Sequence, residues 1–573
     1  MGLLRKTAIA ALLSSALLSA PAVQAMSGSG SYLAGRQAAL DRDFGAAAGY
    51  FTRALIADPS NPQLLEQAAL ANLAMGSLDR ALPIARTIEE MGLQSQIAHM
   101  IVVAGLVKAG DWDGLLARDA QTVGVGPLVD GLVTAWAHLG AGDVAEALAA
   151  FDKVAERGGL RGFALYHKAM ALAMMGDYES AEAIFSDEAS GAALMMRRGT
   201  MARAEILSQL ERNDRALEML TQAFGTDPDP GLTQLMDRLA AGENLPFSHV
   251  TSVQDGVAEV FFSVAAALTN EARDEYTLIY GRVATYLRPD HVDAILLNAQ
   301  LLDGLEQYDM AVETYRSVPT TSPDFHAAEL GRAEALRRAG KPDAAIEVLD
   351  RLASDYPDLA EIHSALGDIY RQQDNFAAAI TAYDRALELT EEGARSEWFL
   401  HYVRGISHER LDQWDQAEAD FRAALALNPE QPQVLNYLGY SLVEKQIKLD
   451  EALDMIQRAV AARPDSGYIV DSLGWVLFRL GRYDEAVGHM ERAVELMPVD
   501  PVVTDHLGDV YWAVGRYREA EFQWKRALSF IDPEDTENEA DPERIRRKLE
   551  VGLDQVLVEE GAPPLKIAND NGG

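Results

Sequence analysis

The residues of this chain that could do chemistry are few and scattered. His401 and His408 lie seven residues apart and could share one face of a helix as metal ligands. No third ligand accompanies them, so packing inside a helical pair is the alternative. The acidic run 532–543 could hold calcium, but it lacks the ligand spacing and the glycine of an EF-hand loop. We expect no metal site here and solvated charge in the acidic run.

The sequence also lacks the common catalytic motifs. It contains no HExxH zinc helix, no GxSxG nucleophile elbow and no GxxxxGK[ST] phosphate loop. It has no cysteine, which excludes disulfides, thiolate catalysis and thiolate metal ligands. We therefore expect no catalytic residue, no cofactor and no enzymatic activity.

The charge of the chain limits the classes of partner. Its 573 residues include 50 Lys and Arg against 88 Asp and Glu, a formal charge of −38. A nucleic-acid binder presents a basic surface, because neutralising phosphates drives that binding. No basic cluster of that kind is present, and an anionic membrane surface is disfavoured for the same reason. The acidity indicates solubility and a bias toward basic protein partners.

The N-terminus has the order of a secretory signal peptide. Arg5 and Lys6 precede an apolar run at 8–18, and Val23-Gln24-Ala25 follows. The alternative is a short membrane anchor, but the uncharged run is short for a bilayer. The pattern predicts cleavage after Ala25 and a periplasmic or secreted protein with no direct membrane insertion. No cysteine follows the run, so lipid attachment there is excluded.

The elements that must position any site recur along the chain. The joint GRYDEA, ending in Ala486, recurs in the second half at spacings of 34, 34, 38, 35, 34 and 34 residues. The strong copies end in Ala311, Ala345, Ala379, Ala417, Ala452, Ala486 and Ala520. Weaker copies end in Ala47, Ala81, Leu115, Ala147, Ala181 and Ala216, and a degenerate unit fits around Thr277. We call these fourteen positions the signature positions; each predicts one helical hairpin.

Small residues stand where two helices cross closely, and a proline often closes the unit. This period and these residues resemble the tetratricopeptide repeat (TPR) superfamily. The resemblance implies an all-α, right-handed α-solenoid, a superhelix of about 14 TPR-like hairpins. Six hairpins precede an irregular segment and eight follow it.

The run 435–487 resembles the C-terminal arrays of large proteobacterial envelope proteins with many repeats. These include an outer-membrane lipoprotein that acts as the adaptor of a C-terminal processing protease. The resemblance implies a scaffold that presents a protease or cell-wall enzyme to its targets. The chain departs from that lipoprotein in lacking the lipid-attachment cysteine, which puts membrane tethering in doubt.

The predicted organisation has six parts, of which the third is either an extra helix with a loop or a hinge between two arrays. The parts are a signal peptide at 1–25, a degenerate N-terminal TPR array at 26–227, the irregular insertion or hinge at 228–253, a C-terminal TPR array at 254–531, an acidic loop and capping helix at 532–560, and a flexible tail at 561–573.

The first helices of the repeats should line a concave groove. The predicted protein-binding residues in that groove are Tyr402, Asn436, Tyr440, Tyr468, Asp471, Trp475, Phe478, Asp505, Asp509 and Trp512. Aromatic anchors beside carboxylates suit a peptide with apolar and cationic groups. The alternative is that several aromatic side chains, Trp475 and Trp512 among them, pack between repeats. Asp471, Asp505 and Asp509 stand where a carboxylate clamp needs Lys and Asn, which disfavours an acidic C-terminus as ligand.

The predicted function is a non-catalytic scaffold or adaptor in the cell envelope, which binds other proteins in its concave groove. One alternative is an accessory activator of an envelope protease or peptidoglycan hydrolase. A second alternative is a cytoplasmic assembly factor, in which case the N-terminal pattern is not a signal peptide.

Overall fold

The computed structural model describes residues 28–118, 124–187, 197–225, 229–531, 540–562 and 565. The predicted signal peptide at 1–25, most of the acidic run and most of the tail lie outside these residues. Every regular element within them is a helix, which confirms the all-α fold class. None of these helices is long and apolar enough to cross a membrane.

Within the described residues, six pairs of helices precede the irregular segment and one extra helix lies inside it. They are α1 (Gly28–Leu40), α2 (Phe44–Ala57), α3 (Pro62–Ala74), α4 (Leu78–Glu90), α5 (Gln96–Ala109), α6 (Trp112–Leu116), α7 (Pro127–Gly140), α8 (Val144–Ala155), α9 (Arg161–Met174), α10 (Tyr178–Ser186), α11 (Arg197–Gln209), α12 (Asn213–Phe224) and α13 (Pro230–Ala240).

Eight further pairs and two terminal helices follow. They are α14 (Val253–Leu268), α15 (Asp274–Leu287), α16 (Val292–Gly304), α17 (Tyr308–Tyr315), α18 (Phe325–Arg338), α19 (Pro342–Asp355), α20 (Ala360–Gln372), α21 (Phe376–Leu389), α22 (Glu397–Arg410), α23 (Trp414–Leu427), α24 (Pro432–Glu444), α25 (Leu449–Ala462), α26 (Gly467–Arg479), α27 (Tyr483–Leu496), α28 (Pro501–Ala513), α29 (Tyr517–Phe530), α30 (Pro542–Val551) and α31 (Leu553–Glu559).

Consecutive helices pack in pairs, and every signature position lies in the second helix of its pair. All fourteen signature residues are buried, and most of them are fully inaccessible to solvent. The prediction of about 14 hairpins is therefore confirmed within the described residues. The physical reason is that a small residue at this point lets the second helix approach the first.

The turn inside a hairpin needs a backbone conformation with positive φ. Five residues before the signature position, Gly340, Gly481 and Gly515 adopt φ between 71° and 81°. Glycine accepts this region without strain, because it has no Cβ. Asp374 and Asp412 take the same position in other hairpins at φ of 56° and 58°, in keeping with the tolerance of aspartate for this region. One turn type is thus repeated along the array.

A glycine in the first helix marks the point where the two helices touch. A Cβ added to Gly405 would lie 2.8 Å from the ring of Phe421, and one added to Gly508 would overlap the ring of Trp524. Both rings are completely buried, so neither can move aside easily. These glycines fix how closely first and second helices pack.

The chain forms two compact units, Met1–Leu352 and Ala353–Gly573, with the boundary inside α19. In the first unit, the pair α14–α15 contacts α3, α5, α7 and α9 as well as its neighbours in sequence. One continuous apolar core therefore extends from Leu65 to Ala294. A linear array in which each repeat touches only the next one lacks such contacts, and the sequence analysis did not predict them.

Long-range hydrogen bonds attach the pair α14–α15 to the early repeats. Arg282 Nε donates to the carbonyl of Ala74 at the end of α3 at 3.1 Å. The Tyr286 hydroxyl donates to Asp79 at 2.8 Å. Arg282 is buried and forms no ion pair with a carboxylate of the described residues, and burial lowers its pKa to about 10. The negative end of the α3 dipole is the counter-charge for this cation.

A buried charge cluster joins α14 to α9 and α11. The Glu259 carboxylate accepts hydrogen bonds from Tyr166 at 2.7 Å, from Arg198 at 2.9 Å and from His291 at 3.1 Å. Burial alone would raise the pKa of Glu259, but Arg198 and His291 together outweigh it and hold the pKa well below its usual range. The carboxylate is therefore ionised and fully paired inside the core.

The irregular segment contains α13 and then a non-helical run, 241–252, that is held against α11. The Leu245 amide donates to Ser208 Oγ at 2.9 Å. Glu205 accepts hydrogen bonds from the Ser248 amide and hydroxyl, at 2.8 and 2.7 Å, and contacts His249 Nδ1 at 2.8 Å. Side chains of α11 thus satisfy the polar groups of the run along its length.

Candidate protein-binding groove

Four of the predicted groove residues meet at one open cavity in the second unit. Asn436 and Tyr440 come from α24, and Tyr468 and Asp471 come from α26. The cavity has a volume of about 370 Å³. The remaining lining residues are Glu409, Arg410, Tyr437, Ser441, Ser472, Val502, Val503 and His506.

The repeat register brings these side chains together. Asn436 and Asp471 occupy equivalent places in successive first helices, 35 residues apart, and Tyr468 and Val502 are 34 residues apart. Equivalent residues of stacked repeats form a ladder across the inner face of the first helices. Tyr468 is 61% exposed, and its hydroxyl donates to Asp500 at 3.4 Å. Its ring therefore offers accessible aromatic surface at the edge of the cavity.

Asn436 brings an unsatisfied acceptor to the cavity. Its Oδ1 is buried and accepts no hydrogen bond from any residue that the structure describes. An unpaired buried acceptor costs about 1–3 kcal/mol, so a ligand N–H that reaches it gains that energy back. A backbone amide of a peptide is a group of this kind.

His506, one of the lining residues of the cavity, contacts both Trp475 and Asp471. The His506 ring lies parallel to Trp475 with centroids 4.0 Å apart, and His506 Nδ1 contacts Asp471 at 3.0 Å. Burial alone would lower the pKa of His506, but the Asp471 carboxylate outweighs it and the pKa is raised. Trp475 also donates Nε1–H to Glu444 at 2.6 Å. Asp471 is thus paired with His506, and Trp475 packs between repeats.

Two further predicted residues pack inside the array. Phe478 stacks on Trp475 with centroids 4.9 Å apart and is buried. Tyr402 contacts the rings of Tyr437 and Phe421 at centroid distances of 6.0 and 6.2 Å. Neither of the two residues lines the cavity.

The last three predicted residues are covered by the terminal helices. The buried Lys548 ammonium of α30 contacts Asp505 at 2.8 Å and Asp509 at 2.6 Å. Trp512 donates Nε1–H to Asp554 of α31 at 2.8 Å. The helix α30 stands where the first helix of a next repeat would lie. Lys548 of α30 therefore pairs with Asp505 of α28, just as His506 of α28 pairs with Asp471 of α26. The chain itself therefore engages these three residues.

His401 and His408, the histidines that could share a helix face, converge on Asp420. His401 Nδ1 lies 2.8 Å from one carboxylate oxygen, and His408 Nε2 lies 4.0 Å from the other. Arg404 donates to both oxygens at 2.8 and 2.6 Å. Burial alone would raise the pKa of Asp420, but Arg404 and His401 together outweigh it and lower the pKa. No group of three ligating side chains suitable for a metal occurs in the described ranges.

Some groove residues were missed although the sequence carried a signal for them. Val502 follows Tyr468 by one repeat length, and His506 follows Ser472 by the same 34 residues. Applying the register to every first helix, and not only to aromatic and acidic residues, would have found both. The cavity is consequently more apolar on its α28 side than the sequence analysis predicted.

Comparison with known families agrees with this architecture. A tetratricopeptide repeat model matches residues 132–193, 296–360, 330–394, 402–467 and 444–501. The chain is a tetratricopeptide repeat protein. This repeat fold is typically non-catalytic, and its extended concave surfaces bind proteins or peptides.

The chain is similar to particular proteins over part of its length. A TPR repeat-containing protein of Pseudomonas aeruginosa is 30% identical over 193 residues, 33% of this chain and 32% of that protein. A lipoprotein NlpI homolog of Haemophilus influenzae is 39% identical over 87 residues, 15% of this chain and 26% of that protein. The matches thus span about a third or less of these curated relatives. A crystal structure of the APC/C hetero-tetramer Cut9–Hcn1 aligns at 15% identity and a TM-score of 0.39, covering 96% of this chain and 99% of that one.

Proposed function

We propose that this protein is a non-catalytic adaptor that holds a segment of another protein in the cavity of its second unit. One observation carries the proposal: Asn436, Tyr440, Tyr468 and Asp471 from successive first helices line the same open cavity. Tyr468 offers an exposed ring, and Asn436 offers an unpaired acceptor. Together they can contact a side chain and a backbone amide of one bound segment.

The chemistry of the cavity favours an apolar side chain, and the net charge of the chain favours basic residues elsewhere in the partner. Tyr440, Tyr468 and Val502 supply apolar surface, and Glu409 lies at the α22 end. The chain carries a formal charge of −38, which speeds the approach of a basic partner. Salt screens this charge, so the approach slows as the salt concentration rises. Affinity then comes from the aromatic contacts, and charge supplies the steering.

The N-terminal pattern supports a place in the cell envelope. Arg5, Lys6, the apolar run and Ala25 have the order of a signal peptide. The similarity to a lipoprotein homolog of Haemophilus influenzae, over 15% of this chain, supports the same compartment. In the envelope the adaptor would present its bound partner to a protease or a peptidoglycan hydrolase, or activate such an enzyme.

The groove is tested by crosslinking in intact cells. A tagged full-length chain is compared with a Tyr440→Ala, Tyr468→Ala double variant and with Phe522→Ala, a control whose ring is equally exposed on the second helix α29. We expect wild type and control to capture the same proteins and the double variant to lose them. Identical capture by all three would place binding outside this cavity.

The compartment is tested separately by sequencing the N-terminus of the protein from fractionated cells. A periplasmic protein that begins at Met26 is the expected result. Intact Met1 in the cytosol would contradict the envelope assignment and favour a cytoplasmic assembly factor. A captured hydrolase whose activity rises on addition of this protein would identify the adaptor as an activator.

A further inference from the structure

We propose that the first unit carries a second docking site, a cavity between α17 and α19 in which Arg316 and Arg332 bind a carboxylate from an acidic segment of a partner protein. This site is independent of the cavity in the second unit. Every residue from 229 to 531 is described, so the two helices that flank the cavity, and the chain that joins them through α18, are defined. Two repeats of this chain differ at the cavity in a way that indicates its occupant.

The cavity reverses the charge balance of the chain. It has a volume of about 420 Å³, within the range of sites that bind small ligands. Four cations and three carboxylates line it, whereas the whole chain has 50 Lys and Arg against 88 Asp and Glu. An anion therefore meets less repulsion here than over the chain as a whole. The lining residues are the cations Arg316, Arg332, Lys341 and Arg351, the carboxylates Asp309, Glu313 and Glu347, and the apolar residues Val312, Leu336, Ala344 and Val348.

The pair α22–α23 shows how an arginine at the equivalent position is paired. Counted from the signature positions, Arg404 of α22 corresponds to Arg332 of α18. Arg404 donates through Nε and Nη2 to Asp420 at 2.8 and 2.6 Å, and through Nη1 to Asp384 at 2.6 Å. Asp384 belongs to the preceding second helix, α21. One guanidinium thus holds two carboxylates in that repeat.

Arg332 lacks the second of these carboxylates. Its Nε and Nη2 donate to Glu329 of the same helix, but its Nη1 donates to no residue that the structure describes. Arg316 takes the place of Asp384, since each lies five residues after its signature position. The Arg332 side chain is 11% exposed and lines the cavity. A nearly buried guanidinium therefore keeps a free donor where the equivalent arginine has a carboxylate.

Two further cations of the cavity are held only by weak contacts. Arg316 pairs with Glu313 at 2.9 Å, and Arg351 pairs with Glu347 at 3.3 Å, each three or four residues away in sequence. All four side chains are at least 58% exposed, so these pairs contribute little and can rearrange. A carboxylate that binds Arg332 can thus also contact Arg316 without separating a buried pair.

The occupant is an acidic side chain that stands where the Asp384 carboxylate stands in the other repeat. Its hydrogen bonds to the nearly buried Arg332 guanidinium should be stronger than an ion pair on open surface. Val312, Leu336 and Val348 line the same cavity and offer an apolar contact to the residue beside it. The partner segment should therefore combine a carboxylate with a neighbouring apolar side chain.

The probe is a phage-displayed library of random dodecapeptides. It is selected on the immobilised full-length chain carrying Tyr440→Ala and Tyr468→Ala, so that the second-unit cavity does not compete. We expect the recovered peptides to be enriched in Asp and Glu beside apolar residues. Their affinity for the wild-type chain is then measured by fluorescence anisotropy at constant ionic strength. Replacing the carboxylates of a peptide by amides should weaken it about tenfold or more.

The variant that locates the site is Arg316→Asp. It places a carboxylate where Asp384 stands and so gives Arg332 a partner within the chain. It should weaken the acidic peptides about tenfold or more, and Arg316→Gln, which adds no charge, should weaken them severalfold. Unchanged or raised thermal stability of both variants would verify their fold. Arg36→Asp, at an exposed position of α1, makes the same change in net charge and should leave the affinity unchanged.

Several results would contradict the proposal. It is wrong if no acidic peptides are recovered, if both Arg316 variants bind them like wild type, or if Arg36→Asp weakens them as much as Arg316→Asp does. Displacement of the peptides by an equal concentration of acetate would identify a site for a free carboxylate and would exclude a protein partner.

Discussion

Two cations of α30, Lys548 and Arg544, pair with two buried carboxylates at the C-terminal end of the second unit. Lys548 is completely buried, and Asp505 and Asp509 beside it are nearly so. Burial and the neighbouring Asp509 raise the pKa of Asp505 above its usual range, although the Lys548 ammonium opposes them. Charges at such depth are stable only while they are paired. The terminal helix α30 is therefore held by electrostatics as well as by apolar contact.

Lys548→Met should destabilise the second unit by about 3–5 kcal/mol at pH 7, because Asp505 loses its cation and Asp509 keeps only the longer contact with Arg544 at 3.6 Å. Urea unfolding followed by tryptophan fluorescence measures the change, since Trp512 and Trp524 lie beside this cluster. Adding Asp505→Asn and Asp509→Asn should recover part of the loss. A loss below about 1 kcal/mol in the single variant would contradict the assigned role.

His167 should make the first unit sensitive to acid. Burial lowers the pKa of His167 to about 4, and the neutral ring contacts Ser263 Oγ at 3.1 Å. Between about pH 6.5 and pH 4, His167 is protonated in the unfolded chain but stays neutral in the folded chain. Stability is therefore lost as the pH falls, by about 3 kcal/mol at pH 4.

The measurement compares urea unfolding of wild type and His167→Gln at pH 7 and pH 4. Glutamine keeps a donor and an acceptor but cannot be protonated in this range. Wild type should lose about 3 kcal/mol more than the variant between these values. Parallel pH profiles would show that His167 does not carry this proton linkage.

At the residue scale, the sequence predicted which side chains face inward but not which are free to bind. The 34-residue register aligned Asn436, Asp471 and Asp505 correctly on successive first helices. It could not reveal that Lys548 covers Asp505, because this lysine lies 43 residues further on and outside the period. In a sequence, an aspartate that is available to a ligand looks the same as one that is paired with a cation of its own chain.

Helix packing explains why glycine occurs where the two helices of a hairpin cross. Gly508→Ala should cost about 1–3 kcal/mol, because the new methyl group overlaps the buried Trp524 ring. Gly488→Ala is the matched control, since this exposed helical glycine has nothing within 4 Å of a new Cβ. The control should be neutral or stabilising by up to about 1 kcal/mol, from helix propensity alone. Thermal unfolding of both variants separates the steric clash at the helix crossing from the effect of helix propensity. Equal changes in stability for the two variants would refute the packing argument.

The hairpins were predictable because their period is set by local residues. The GRYDEA-like joint, the glycine at the helix crossing and the proline that closes the unit recur together. Each of them acts within its own repeat. The early end of α6 was not predicted, although Gly124 and Gly126-Pro127 follow closely. Arg118, just after α6, pairs with Glu89 of α4 instead of continuing the helix. The end of α6 thus depends on a contact with a neighbouring repeat, and the repeat period alone cannot predict it.

At the scale of the whole molecule, the pair α14–α15 changes how the first unit should unfold. Repeats that touch only their neighbours open one after another. Here a single core joins Leu65 to Ala294, so opening one part exposes the rest. No period can specify contacts between residues about 200 positions apart, and the sequence analysis missed them for that reason.

Glu259→Gln tests this cooperativity, because it breaks the buried charge cluster at α14. We expect amide hydrogen exchange to rise in α3 and α5, which do not touch Glu259, by the same factor as in α14, on the order of 100-fold. Glu347→Gln, which removes a charge from an exposed pair with Arg351, should change nothing. A rise confined to α9 and α14 would show that the repeats open independently.

The docking of α14–α15 also fixes an order of events during synthesis. The helix α3 is complete about 200 residues before the end of α15 emerges, an interval of about 10–40 s at typical translation rates. During that time the apolar faces of α3, α5, α7 and α9 that α14–α15 later covers are exposed. The nascent chain is then a client for chaperones, and a fragment that stops after α12 should aggregate. The first six hairpins are consequently not a module that evolution or an engineer can move by itself.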